Sequence, residues 1–161
     1  MGIIAGPVEA AGLQVMHFST DRLVLAVPVG HDLANQSPVT LKQTLAFQHI
    51  GLHEGSTLLS FLRDHVERLG QHLSLRIQVS SFEAICRMVE AGVGIGIIPE
   101  SAAMRHSRTM NLVTVQLDEP WAIRERSILV RELDALPGTV RALIATLMPD
   151  AEPSSATASD A

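Results

Sequence analysis

The sequence predicts an α/β fold in which a mostly parallel sheet is covered by helices, and three observations predict it. Short segments rich in Val, Ile and Leu recur along the chain, and segments with apolar residues three and four apart stand between them. From residue 49 to residue 117 the two kinds alternate, the order of strand–helix–strand units with right-handed crossovers. A chain of 161 residues, 47% hydrophobic and 18% charged, also has the apolar material for a core and lacks the composition of a disordered tail.

The elements follow in order. Gly2–Ala5 is a bare apolar run of the kind buried on both faces, and Leu13–Phe18 and Asp21–Val29 follow it as strand upon strand. A short helix is expected over Thr40–Ala46, after Pro38, with Thr40 as its cap. Ile50–His53 reads as a buried strand. Ser56 or Thr57 can cap the helix that carries Leu58, Leu62, Val66 and Leu69 on one face and ends before Gly70. Leu75, Ile77 and Val79 alternate with polar residues, the pattern of a half-exposed edge strand. Ser80 or Ser81 caps the next helix, whose Phe82, Ile85, Cys86 and Val89 share a face, and Gly92 stops it.

Ile95–Ile98 is again a buried-type run, and Val113, Val115 and Leu117 alternate as an edge-like strand. Asp118–Arg126, with Pro120 and Trp121, shows no clear element. Ser127–Val130 is the last strand, and Val140, Leu143, Ile144 and Leu147 mark a helix over 138–148. Residues 149–161, small, polar and acidic, have almost nothing to bury and are expected to be a disordered tail.

Composition narrows the function classes. Twelve Lys and Arg against 17 Asp and Glu give a net charge of −5, so no overall positive field draws the chain to a phosphate backbone. The one cysteine, Cys86, excludes an internal disulfide and a cysteine-rich metal site; it suits a reducing compartment and sits in an apolar helix stripe. No apolar run approaches the roughly 18 residues of a membrane span, and the first residues lack the basic and apolar regions of a secretory leader. A cytoplasmic protein without a membrane partner is expected.

The motifs narrow them further. Glu90–Pro99 is glycine-rich, but a helix runs into the glycines and a strand leaves them, the reverse of a dinucleotide loop. His49 and His53, with Glu54 adjacent, would suit a metal on a helix; the segment reads as a strand, and the seven histidines share no spacing, so no metal or cofactor is expected. Glu54-Gly55-Ser56-Thr57 lacks the glycine frame of a nucleophile elbow, and no nucleophile and base are paired, so the chain reads as a non-enzyme. The hydroxyls at 56, 57, 80 and 81 can cap helices or receive a small anion, and both readings stand. Two helix starts at the carboxyl ends of neighbouring strands describe a ligand crevice of the open α/β kind.

The stretch Asp21-Arg22-Leu23-Val24-Leu25-Ala26-Val27-Pro28-Val29-Gly30-His31-Asp32-Leu33-Ala34 resembles the L-V-L-x-x-P-x-x-H-P-L-A segment of the effector-binding domain of LysR-type transcriptional regulators, with Asp32 in place of the proline. Val79–Pro99 resembles that family's l-V-a-a-G-x-G-I-a-x-x-P segment, and Leu136–Leu147 its last helix. The resemblance runs in order over residues 2–148.

It implies the periplasmic-binding-protein type 2-like fold, with one complete α/β subdomain plus part of a second. Residues 1–29 would be a partial first subdomain and a crossover strand, 30–117 the second subdomain, and 118–148 the other crossover with the last strand and C-terminal helix of the first. The family's helix-turn-helix and the opening elements of the first subdomain have no counterpart here, so DNA would be reached only through a part outside this chain. A small, anionic effector would lie in the inter-subdomain cleft. Its contacts, carried over by position, would be Ser56 and Thr57, Ser81 and Phe82, the Gly94–Ile95 turn, and Arg22. The helix like 57–70 and the strand like 75–79 would pair with a second copy, giving a homodimer or tetramer. The alternative is a stand-alone small-solute-binding protein of similar fold.

Overall fold

The computed structural model describes residues 1–6 and 11–148. The expected disordered tail at 149–161 lies outside them. In chain order the elements are β1 (Gly2–Ala5), β2 (Gln14–Pro28), a 3-10 turn at Asp32–Asn35, α1 (Leu41–Thr44), β3 (His49–Leu52), α2 (Thr57–Arg68) and β4 (Leu75–Val79). There follow α3 (Phe82–Glu90), β5 (Gly96–Pro99), α4 (Glu100–His106), β6 (Leu112–Gln116), a 3-10 turn at Pro120–Ala122, β7 (Ile123–Val130) and α5 (Gly138–Leu147).

The chain divides into two compact units, Asp21–Ile123 and the remainder. In the larger unit β2 pairs antiparallel with β5, from Leu23↔Pro99 to Ala26↔Gly96, and on its other side with β6, from Val24↔Gln116 to Pro28↔Leu112. β3 and β4 pair in parallel, and a parallel bridge from His49 to Ile95 joins that pair to β5. The alternation of strand and helix is therefore as expected, but the sheet is mixed rather than mostly parallel. Apolar periodicity carries no information on strand direction.

β2 shows why its central run is continuously apolar. Leu23, Leu25 and Val27 face a core shared with Leu58, Leu62 and Val66 of α2, while Val24 and Ala26 face a second core with Ile85, Cys86 and Val89 of α3 and Ala103 of α4. With helices on both faces, every side chain from Leu23 to Val27 is buried. In the smaller unit β7 lies between β1 and the start of β2, and α5 lays Ile144 against Ile128 and Val130, with Met16 and Phe18 alongside.

Other expectations change. Leu13–Phe18 and Asp21–Val29 are one strand of 15 residues, because the polar Ser19-Thr20 step interrupts the apolar pattern and not the backbone pairing. β1 is not buried on both faces: it pairs antiparallel with β7, and Ile3 is 52% exposed. Leu69 and Leu143, expected on buried helix faces, are exposed, Leu69 because it is the C-cap residue beyond the last turn of α2.

Asp118–Arg126 does carry structure. Trp121 stacks on His65 of α2 with ring centroids 4.5 Å apart, and the Glu119 carboxylate accepts the Leu41 N–H at the start of α1 (2.8 Å). β7 begins four residues before the expected Ser127, since a ladder needs backbone partners and tolerates its charged residues. The periodicity also gave no sign of α4. The residue before it, Pro99, supplies no side-chain cap; Asp21 of β2, far off in sequence, accepts from the backbone N–H and hydroxyl of Ser101. Three other helices are capped at expected positions: Thr40 closes a capping box with Gln43, Ser56 rather than Thr57 caps α2 and Ser81 rather than Ser80 caps α3, while α5 follows Pro137 with no side-chain cap. Gly92 ends α3 with φ +72°, a conformation glycine takes without strain.

Candidate functional site

β3 and β4 run in parallel and finish side by side, with Leu52 opposite Val79, and the His53 N–H donates to the Val79 carbonyl at 3.0 Å. Each strand then turns into a helix. Ser56 opens α2, its Oγ 3.5 Å from the Leu59 N–H, and Ser81 opens α3, its Oγ accepting from the Ala84 N–H at 3.1 Å. Thr57 and Ser81 are exposed, Ser56 is half-buried, and Phe82 is half-buried against both cores. The carboxyl end of the next strand, Pro99 of β5, pairs with Leu23, which brings the half-buried Arg22 to the same sheet edge. The topology thus gathers Ser56, Thr57, Ser81, Phe82 and Arg22 along one edge of the larger unit.

Gly94 and Ile95 do not join them. They precede β5 and therefore stand at the amino ends of the parallel strands, a strand's length away. The Ile95 N–H donates to the Gln48 carbonyl and the Ile50 N–H to the Ile95 carbonyl, and the Ile95 side chain is buried. A Cβ at Gly94 would lie 2.6 Å from the Gln48 carbonyl oxygen, so close backbone approach accounts for this glycine.

The loop between β3 and α2 is fastened by a residue that sequence reading weighed only as a metal partner. The Glu54 carboxylate receives both Arg63 Nη groups, each at 2.6 Å, and Gln78 Nε2 donates to it at 3.0 Å and to the Leu52 carbonyl at 3.2 Å. Hydrogen bonding from Arg63 holds the Glu54 carboxyl at about 2 and raises the guanidinium in turn. No periodicity signals such a cluster, because its members belong to a loop, a helix and a strand.

Neither His49 nor Cys86 is presented to a ligand. His49 is 2% exposed, with Nδ1 3.1 Å from the Phe47 carbonyl and Nε2 3.2 Å from the Thr44 hydroxyl, and burial lowers its pKa to about 4. Cys86 is wholly buried and burial pushes its thiol up. Among the described residues no three His, Cys, Asp or Glu side chains meet as a metal site would require, and no helix is long and apolar enough to cross a membrane. What the edge offers is two helix N-termini flanked by hydroxyls, with a guanidinium on the same edge: groups that orient and neutralise a small anion.

The family model for the LysR substrate binding domain matches residues 1–151. A probable RuBisCO transcriptional regulator of Emiliania huxleyi is 24% identical over 136 residues, 81% of this chain and 43% of the relative. A probable hydrogen peroxide-inducible genes activator of Mycobacterium avium is 26% identical over 142 residues, 88% of this chain and 46% of the relative. The chain thus spans less than half the length of these curated relatives. Among solved structures, the CcmR regulatory domain of Synechocystis in complex with 2-PG superposes with a TM-score of 0.76 at 21% identity, covering 91% of this chain and 71% of that one. The effector binding domain of QuiR in complex with shikimate gives 0.71 at 18% identity, covering 91% and 70%. The likeness establishes a fold shared with LysR effector-binding domains, of the periplasmic-binding-protein type 2-like kind.

Proposed function

The chain belongs to the LysR substrate-binding domain family, and from that premise we propose that it senses a small anionic metabolite on behalf of a longer transcriptional regulator. The observation that carries this is the gathering of Ser56, Thr57, Ser81, Phe82 and Arg22 at the carboxyl edge of β3, β4 and β5. Ser56 is the informative member. At 3.5 Å its cap bond is long, so its hydroxyl is only weakly committed to the helix, whereas Ser81 makes a 3.1 Å cap. Binding without turnover is the expected chemistry, and a cytoplasmic location goes with it.

In this reading residues 30–117 are the second subdomain, 1–29 and 118–148 belong to the first and its crossovers, and DNA is contacted by a part of the regulator other than these residues. The state of Cys86 favours ligand binding over thiol oxidation as the signal, although some relatives are named for peroxide response. Oligomerisation through β4 and α2 fits the edge position of β4, where Ile77 is 39% exposed.

Thermal denaturation against a panel of small carboxylates and phosphates, shikimate and 2-PG included, tests the assignment. A ligand at 100 times its Kd adds about 2.7 kcal/mol of stability. The Ser56→Ala variant should melt within about 2 °C of the parent yet lose most of that ligand-induced shift. An undiminished shift in Ser56→Ala would move the site elsewhere, and chemical conversion of the ligand would overturn the sensor reading.

A further inference from the structure

The geometry points to Glu54 as a positioning residue: held between Arg63 and Gln78, its carboxylate sets the path of the 53–56 loop and so the placement of Ser56 and Thr57, an inference that rests on the function proposed above. The carboxylate ties three elements together. Arg63 reaches it from the second turn of α2 with both Nη groups at 2.6 Å, and Gln78 reaches it from β4 at 3.0 Å while also holding the last carbonyl of β3, Leu52, at 3.2 Å. Moving the loop would break the three bonds to the carboxylate at once.

Overall stability does not explain such a network. Glu54 and Arg63 side chains are 63% and 39% exposed, and ion pairs this wet contribute little to folding. What a two-pronged guanidinium–carboxylate pair supplies is direction, which a lysine's single ammonium cannot reproduce. The pairing also neutralises a negative charge two residues before Ser56, where it would otherwise repel an arriving anion.

Amide hydrogen exchange in the 161-residue chain, its Arg63→Lys variant and its Glu54→Ala variant tests the clamp without a ligand. Both variants should speed exchange at Ser56, Leu59 and Ser60 by about three- to tenfold, with exchange in α3 unchanged and Tm moved by less than about 2 °C. Protection retained in Arg63→Lys would mean that charge alone suffices, and protection retained in Glu54→Ala would mean that the loop holds itself; either result overturns the inference. Calorimetric titration of the same variants with shikimate and 2-PG separates the two levels. A loosened loop with unchanged affinity for a probe that binds the parent would remove Ser56 and Thr57 from the site and leave the clamp standing.

Discussion

His49 shows how one side chain can set the acid limit of the fold. Its neutral ring is buried between the Phe47 carbonyl and the Thr44 hydroxyl, and desolvation lowers its pKa from 6.5 to about 4. Between those values the unfolded chain binds a proton that the folded chain does not. Stability contributed here is complete above pH 6.5, falls as the pH drops towards 4, and is level below that, a loss of about 3 kcal/mol. His49→Gln should flatten this part of the curve, measured by thermal melts between pH 7.5 and 4; equal slopes in parent and variant would exclude His49 as the cause. From sequence, His49 stood out only through its spacing to His53. Its partners lie within five residues, but its burial depends on the packing of α1 against the strands and has no sequence signature.

At the scale of elements, the helix-to-strand turn after α3 leaves no room for a side chain at Gly94. The chain needs Gly94 because the next residue docks β5 onto β3 through backbone bonds to Gln48 and Ile50. In Gly94→Ala the new methyl would stand 2.6 Å from the Gln48 carbonyl oxygen, a rigid neighbour, so the variant should lose about 1–3 kcal/mol. Gly138→Ala, at the start of α5, meets nothing within 4 Å and should be neutral or gain up to about 1 kcal/mol. Urea unfolding of the two variants checks both. The glycine-rich segment was legible as a turn with close packing. Its distance from Ser56 and Ser81 was not, because that depends on which end of β5 faces which end of β3.

At the scale of the whole molecule, the edge strand β4 leaves Ile77 exposed, and in the proposed regulator this strand and α2 meet a second copy. Sedimentation velocity should show self-association of the parent and a shift towards monomer in Ile77→Lys, since a lysine on an edge strand opposes pairing; identical profiles would place the interface elsewhere. The sequence by itself determined the alternation of strands and helices, the faces of α2 and α3 that are buried, their caps to within a pair of neighbouring hydroxyls (Ser56 or Thr57, Ser80 or Ser81), and the family, because all of these rest on local spacing along the chain. Tertiary structure alone decided the antiparallel course of β2 beside β5 and β6, the existence of α4 with its cap from Asp21, the clamp on Glu54, and the separation of Gly94 and Ile95 from the hydroxyl edge. Each of those depends on groups distant in sequence meeting in space, and hydrophobic periodicity records what a residue buries without recording against which partner.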